Sequence, residues 1–525
     1  MPNSKPSAAL GASKCHSCSL MVELRMTLQN LMCRNCQFRE AVFRLLLLLC
    51  FILVAPGFLS ANDNDSKPET KAKPNILFIF ADDLSYDSIA AFGNTEVKTP
   101  NIDDLARRGT SFTRAYNMGG WNGAVCVASR TMLNTGRFIW NANEVADKLQ
   151  LEKGNGRLWS LQMKDAGYET FFTGKWHVKI KPAEIFDRAE NIRAGMPNQT
   201  PEGYNRPHEG KPDKWSPSDP KFEGFWKGGK HWSEVVGDDA ISFIDQAKSN
   251  DKPFFMYIAF NAPHDPRQSP QKYVDMYPHE KVIVPENFLA EYPYNEGMAS
   301  GRNLRDERLA PFPRTRYSVQ VNRQEYYAII THMDDQIGRI LAALKDSGMA
   351  DDTYVFFTAD HGLSCGHHGL LGKQNMYEHS MRVPFMVAGP DVNPGKKIDS
   401  NIYMQDVMAT SLELAEIEKP EHVEFKSLLP LMRGQRDQQY ESVYGAFRMA
   451  QRMIIKDGMK LIVYPEVPKL RLFDIEKDPL EINDLFDSKE HSSKRDQLLE
   501  ELFELQSGMN DKLELKEALA AKAND

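Results

Sequence analysis

The segments NILFIF (75–80), ETFFT (169–173), FFMYIAF (254–260) and YVFFT (354–358) are apolar almost without a break and rich in β-branched and aromatic residues. Such runs suit strands buried on both faces, as in a parallel sheet covered by helices. The stretches between them carry helical spacing. In EYYAIITHMDDQIGRILAAL, residues Ile330, Met333, Ile337, Ile340, Leu341 and Leu344 fall on one face. The pattern predicts an α/β fold, a large mainly parallel sheet flanked by helices. A chain of 525 residues is too long for one ordinary core. Beyond Val443 the pattern changes: RMIIKDGMKLIVY reads as a hairpin turning at Asp457-Gly458, and a charged amphipathic helix follows from about Lys494. A main domain over 74–435 is therefore expected to carry a smaller C-terminal α+β subdomain, an antiparallel sheet and a helix, over 436–525.

Each of the four runs is followed at once by ionisable residues. They are Asp82 and Asp83 in ADD, Lys175 and His177 in GKWH, His264 in NAPH, and Asp360 and His361 in ADH. In open α/β sheets, ligands bind outside the carboxyl ends of the strands. The four strands would thus deliver two acidic and two basic clusters to one edge. The formal net charge of -8 gives no sign of a nucleic-acid binder, which would usually be basic.

The run LLLLLCFILVAPGF, residues 45–58, is short for a membrane span. Arg39 and Arg44 precede it, and LSA at 59–61 has the small residues of a cleavage site. Residues 1–61 therefore read as a secretory signal peptide with an upstream extension, and 62–73 as a polar linker. The expectation is an exported protein, periplasmic or secreted, without stable membrane insertion; an uncleaved anchor is the alternative. The pairs Cys15/Cys18 and Cys33/Cys36 have zinc-ribbon spacing, but they sit upstream of the export signal, and a start at Met32 would make a complete signal peptide. The mature chain then keeps only Cys126 and Cys365, which is no disulfide framework.

Cys126 stands in CVASRTMLNTGR, with Ala128 and Arg130 behind it. Together with NILFIFADDL, GKWH, NAPH, DHG and GHHGLLGKQNMYEHSMRVP, this motif makes the chain resemble, from about Pro74 to Asp484, the type I (formylglycine-dependent) sulfatases of the alkaline-phosphatase superfamily. The resemblance implies that Cys126 is oxidised by a formylglycine-generating enzyme and that the hydrated aldehyde supplies the nucleophile. It implies metal ligands Asp82, Asp83, Asp360 and His361, plus the side chain at 126, around one Ca²⁺ per chain, with Mg²⁺ or another divalent ion less favoured. Lys175 and Lys373 would hold the sulfate, Arg130 would orient residue 126 and the carboxylates, His177 would bond the formylglycine hydroxyl, and His264 would protonate the leaving alcohol. Two positions depart from the commoner pattern: Ala128 replaces proline, and His361 stands where asparagine is frequent, an exchange that favours a transition metal somewhat.

The activity implied for 74–435 is hydrolysis of sulfate esters on a sulfated polysaccharide or oligosaccharide. The alternatives are a phosphate or phosphonate ester hydrolase of the same superfamily and a non-catalytic protein that binds sulfated glycans. Several residues stay open. Asp334 and Asp335 read as solvated or capping, and His367 and His368 as substrate contacts or bystanders. The insertion 181–233, with Trp215, Trp226 and Trp232, would shape specificity against sugar rings. The five arginines of RNLRDERLAPFPRTR (302–316) would meet further anionic groups or belong to a packed surface loop.

Overall fold

The computed structural model describes residues 73–195, 199–467 and 469–522. Residues 1–61, read as a signal peptide with its cysteine-bearing upstream extension, lie outside the described residues, as does nearly all of the linker.

The four apolar runs become strands as expected, each slightly longer than the run itself. They are β1 (Asn75–Asp82), β4 (Glu169–Lys175), β8 (Phe254–Pro263) and β9 (Thr353–Ala359). Nearly every residue of these strands is buried, which explains why they lack polar alternation. The remaining strands are β2 (Thr110–Tyr116), β3 (Gly119–Gly120), β5 (Arg188–Arg193), β6 (Trp226–Lys227), β7 (Lys230–His231), β10 (Arg382–Val383), β11 (Phe385–Ala388), β12 (Lys396–Tyr403), β13 (Ser442–Phe447), β14 (Gln451–Lys456), β15 (Met459–Tyr464) and β16 (Lys469–Asp474). β6 and β7 form a ribbon of their own.

In the large sheet, β9, β1, β8, β4 and β5 lie side by side and run parallel. β11 joins antiparallel to β9 and β2, and β10 and β12 also pair with β2. The helices Trp232–Lys248 and Arg316–Asp346 pack on each other and on β8. The longer helix starts at a reciprocal cap: Thr315 accepts from the Ser318 amide, and Ser318 accepts from the Thr315 amide. Its face at Ile330, Met333, Ile337, Ile340 and Leu344 is buried as the spacing requires. A cluster of aromatic rings, Phe78, Trp159, Phe172 and Tyr257, fills part of the core.

The C-terminal hairpin also forms as read. Lys456 pairs with Met459, and Asp457 and Gly458 both have positive φ, 51° and 73°, the geometry of a two-residue turn that follows sheet twist. β13 to β16 make an antiparallel sheet, followed by the helix Ser492–Gly508. The second sheet is not built from C-terminal residues alone. β3, from the main domain, adds a fifth strand parallel to β13, and the described residues form one compact unit. No helix among the described residues is long and apolar enough to cross a membrane.

Candidate active site

The order β9-β1-β8-β4 places the ends of four neighbouring strands in a row. Asp82 closes β1, Lys175 closes β4, and His264 and Asp360 follow β8 and β9 directly. Two backbone features aim these groups. Asp83 and His177 hold positive φ, 67° and 56°, a conformation that side chains other than glycine seldom adopt and that clusters at functional sites. Gly174, with φ +94°, precedes Lys175; a Cβ there would come within 1.8 Å of the Ala259 carbonyl oxygen, so only glycine lets β4 lie this close to β8.

Cys126 enters from the side, in the first turn of the helix Val125–Thr135. The helix stops at Gly136, in the left-handed region, whose amide donates to the Met132 carbonyl. Cys126 is buried, with Sγ 3.4 Å from Asp82 Oδ1 and 3.8 Å from Asp83 Oδ1. Lys373 Nζ donates to Sγ at 3.2 Å and is also bound to the Asp83 carboxylate. Lys175 Nζ bonds Asp82 Oδ2. Arg130, one turn along the helix from Cys126, is fully buried: Nε donates to Asp360 Oδ2 at 3.0 Å and Nη1 to the Lys175 carbonyl at 2.7 Å, while its guanidinium lies over the Phe80 ring at 4.7 Å. The other Asp360 oxygen accepts from the Asp83 amide at 3.1 Å. His264 Nε2 sits 3.3 Å from Asp83 Oδ2.

Burial and charge set the protonation states. Burial pushes the Cys126 thiol well above its usual range, and the Asp360 charge adds to this. The unmodified side chain is thus a neutral, weakly nucleophilic thiol. Burial also raises Asp83 to about 6, against the pull of His264 and Lys373. Asp360 is buried as well, but Arg130 and Lys175 hold it well below the carboxylate range. His177 falls to about 2 through burial and the Lys175 and Arg130 charges, so it is a neutral imidazole. Burial lowers His361 to about 4.

The donor set suits a divalent cation. Single ligand atoms of Asp82, Asp83, Cys126 and His264 all lie within 4.8 Å of one another. His264 is in this group although the sequence motif assigned it to proton transfer alone. Asp360 joins through the Asp83 amide and Arg130. His361 lies against the Val125 backbone, and both of its buried ring nitrogens lack a hydrogen-bond partner of normal geometry. His361 is not among the four residues whose ligand atoms lie within 4.8 Å of one another.

Above the cluster opens a cleft of about 280 Å³, lined by Gly123, Cys126, His177, His264, Arg305 and Lys373, among others. The tryptophans of the insertion do not line it. Trp215 is buried under the Arg206 guanidinium and Trp232 under that of Arg193, so their rings pack within the protein. His367 and His368 also point elsewhere. His367 Nδ1 meets Asn287, His368 stacks on Tyr377 at 3.9 Å, and the tight turn around Gly366 and Gly369, both with positive φ, separates them from Lys373. Asp334 is buried and caps the helix Pro100–Arg108 by accepting from the amides of Asn101 and Ile102; Asp335 accepts from Tyr273. In the arginine-rich segment, Arg302 and Arg314 are spent on Glu291 and Glu307. Arg305 alone of these three lines the cleft. Asp265, Arg305 and Asp306 are site residues that the motifs did not mark, and Gln374, inside the GLLGKQN motif, was given no role.

The sulfatase family profile matches residues 74–417, and that of the C-terminal region of N-sulphoglucosamine sulphohydrolase matches 366–508. An N-acetylglucosamine-6-O-sulfatase of Bacteroides thetaiotaomicron is 25% identical, over 86% of this chain and 89% of its own. A solved structure in complex with its substrate, D-glucosamine-2-N,6-O-disulfate, superposes with a TM-score of 0.63 at 21% identity, covering 84% of this chain and 99% of that one. A phosphonate monoester hydrolase from Silicibacter pomeroyi shares the fold with a TM-score of 0.67 at 19% identity, over 84% and 96% of the two chains. Membership implies a divalent metal, for which the buried acidic cluster offers a place. The chain belongs to the sulfatase family and is a sulfuric ester hydrolase.

Proposed function

We propose that this sulfatase removes sulfate from a sulfated oligosaccharide or polysaccharide, outside the cytoplasm, with formylglycine at position 126 as its nucleophile. The observation that carries the reading is the setting of Cys126: a buried, neutral thiol in the first turn of a helix, pressed between two carboxylates and Lys373. A thiol held there is poorly suited to attack. A hydrated aldehyde in the same place has two hydroxyls, one to attack sulfur and one to finish the reaction. Its formation from cysteine needs an external oxidant and a formylglycine-generating enzyme as partner.

Asp82, Asp83, Asp360 and His361, with the residue 126 side chain, would hold one divalent cation, calcium by preference because three of the ligands are hard carboxylates. When bound, the cation adds positive charge beside the sulfate oxygens. The chain's own residues supply the rest. Lys175 and Lys373 hold the remaining sulfate oxygens, and Arg130 fixes Asp360 and, through its helix, residue 126. One formylglycine hydroxyl gives its proton to a carboxylate beside residue 126 and attacks sulfur as the bond to the sugar oxygen breaks, and His264 gives that oxygen a proton. The second hydroxyl then gives its proton to neutral His177, the carbon–oxygen bond to sulfate breaks, and water adds to the aldehyde that forms to restore the hydrate. Support for a glycan substrate comes from the relatives, among them the N-acetylglucosamine-6-O-sulfatase and the glucosamine-disulfate complex. The fold shared with a phosphonate monoester hydrolase supports the second reading, a phosphonate or phosphate ester.

The test is sulfate release from defined sulfated monosaccharides, glucosamine 6-O-sulfate and N-sulfate among them, alongside phenyl phosphonate monoesters. Turnover of a saccharide sulfate at least tenfold faster than of the phosphonates, lost in Cys126→Ala, is expected. The reverse preference would move the chain to the second reading.

A further inference from the structure

His264 is followed at once by a carboxylate, and the two side chains meet. His264 Nδ1 lies 2.9 Å from Asp265 Oδ1 and 2.8 Å from the Asp265 carbonyl oxygen. Two acceptors on Nδ1 fix a proton there, so the ring can donate from Nε2 only when both nitrogens carry a proton; Nε2 lies 3.3 Å from Asp83 Oδ2, and the ring lines the cleft. Asp265 is itself buried and clamped. Arg305 donates to its two oxygens at 2.6 and 3.1 Å and also pairs with Asp306 at 2.6 Å. Asp306 in turn accepts from Gln374 Nε2 at 2.7 Å. Arg305, Asp306 and Gln374 line the same cleft as His264. A fork-shaped pair of this kind is rigid as well as strong, and a partner that orients an imidazole is the usual companion of a working histidine.

We propose that Asp265, locked by Arg305, is the positioning residue for His264, holding its Nδ1–H so that Nε2 donates to the departing oxygen. The inference rests on the sulfatase reading above and adds to it a route from a cleft-lining loop to the acid. The step is simple. The bond between sulfur and the leaving oxygen breaks, the Nε2 proton moves to that oxygen, and the alcohol departs. The imidazole that remains keeps its Nδ1–H on Asp265 and takes an Nε2 proton back from solvent, which receives the one released by the attacking hydroxyl. Arg305 comes from the arginine-rich segment, so the residue that holds the carboxylate is also placed to feel what occupies the cleft.

The experiment is kcat/KM for a graded series of aryl sulfates, from 4-nitrophenyl sulfate to unsubstituted phenyl sulfate, whose leaving groups need progressively more protonation. Activity of the wild-type protein on this series tests the sulfatase reading first; a protein inactive on every sulfate ester sinks that reading before any variant is compared. Given activity, Asp265→Ala should lose roughly 100-fold on phenyl sulfate and under about 5-fold on 4-nitrophenyl sulfate, the size of a general-acid effect. His264→Ala should show the same graded loss, and the double variant should be no worse than His264→Ala alone. Arg305→Leu should show a smaller loss of the same form, with partial recovery in Arg305→Lys. Asp265→Asn keeps an acceptor for Nδ1 and the side-chain shape, and should lose about tenfold on phenyl sulfate alone. It carries the test if Asp265→Ala does not fold. Equal losses across the series in either Asp265 variant, or a double variant in which the two losses multiply, would overturn the proposal and leave Asp265 a packing residue.

Discussion

At position 126 the chemistry can be separated from the packing. Cys126→Ala removes every atom able to attack sulfur, so it should be inactive at wild-type stability, because one buried atom is lost from a site already held by charge pairs. Cys126→Ser should also be nearly inactive, for a different reason. Serine can attack once, but the resulting ester has no second hydroxyl to expel sulfate, so a sulfated serine should accumulate and appear as an added mass in the variant. Turnover of the serine variant at the wild-type rate would contradict the two-hydroxyl account. Arg130 is the residue whose loss should hurt the fold as well as the activity. It is fully buried and answers Asp360 and the end of β4, so Arg130→Met leaves a buried carboxylate without its partner. A loss of about 3 kcal/mol in a denaturation experiment is expected. His177 makes a prediction in pH. With its pKa near 2 it is neutral at every working pH, so it loses no proton between pH 5 and 9. His177→Gln should lower the rate without moving either limb of the pH profile; a shifted limb would show that His177 titrates there.

The elements explain why some of this was legible in the sequence and some was not. Strand ends and motifs are local features. NILFIF, ETFFT, FFMYIAF and YVFFT are strands because their residues are buried on both faces, and the polar residues that follow must then fall at one edge of the sheet. That is why Asp82, Asp83, Lys175, His177, His264 and Asp360 could be placed at one sheet edge without a structure. Arg305 was not found, because its partner lies forty residues away, beside His264, and an arginine-rich loop looks the same whether it faces solvent or locks a carboxylate. Trp215 and Trp232 misled for a related reason: composition marks aromatic surface, while stacking under Arg206 and Arg193 hides it. The joint between the sheets was equally invisible, since β3 is only two glycines. It can be tested directly. Gly119 has φ +86°, and a Cβ there would lie 2.0 Å from the Ala446 carbonyl oxygen. Gly119→Ala should cost about 2 kcal/mol or more and, because β3 runs into the Cys126 helix, should lower activity too. A variant as stable as wild type would mean that the two sheets are not coupled through this strand.

Across the whole molecule the site behaves as a charge-balanced core. Three carboxylates, two lysines, one arginine and two histidines lie buried between strand ends, a helix and the loop that carries Lys373. A cation that binds this arrangement in the folded state and not in the unfolded chain must stabilise the fold by mass action. At a hundred times its dissociation constant the gain is about 2.7 kcal/mol. Chelation should therefore lower both the activity and the melting temperature, and calcium should restore both. Activity and melting temperature unchanged after exhaustive chelation would remove the metal from the account.

The most direct test concerns residue 126 in protein shown to be active. In a preparation that releases sulfate from a saccharide, the proteolytic peptide containing residue 126 should be lighter than its cysteine form by the exchange of sulfur and two hydrogens for one oxygen. It should also react with hydrazides and not with thiol reagents. A fully active preparation in which that peptide carries an unmodified, thiol-reactive cysteine would contradict the formylglycine mechanism.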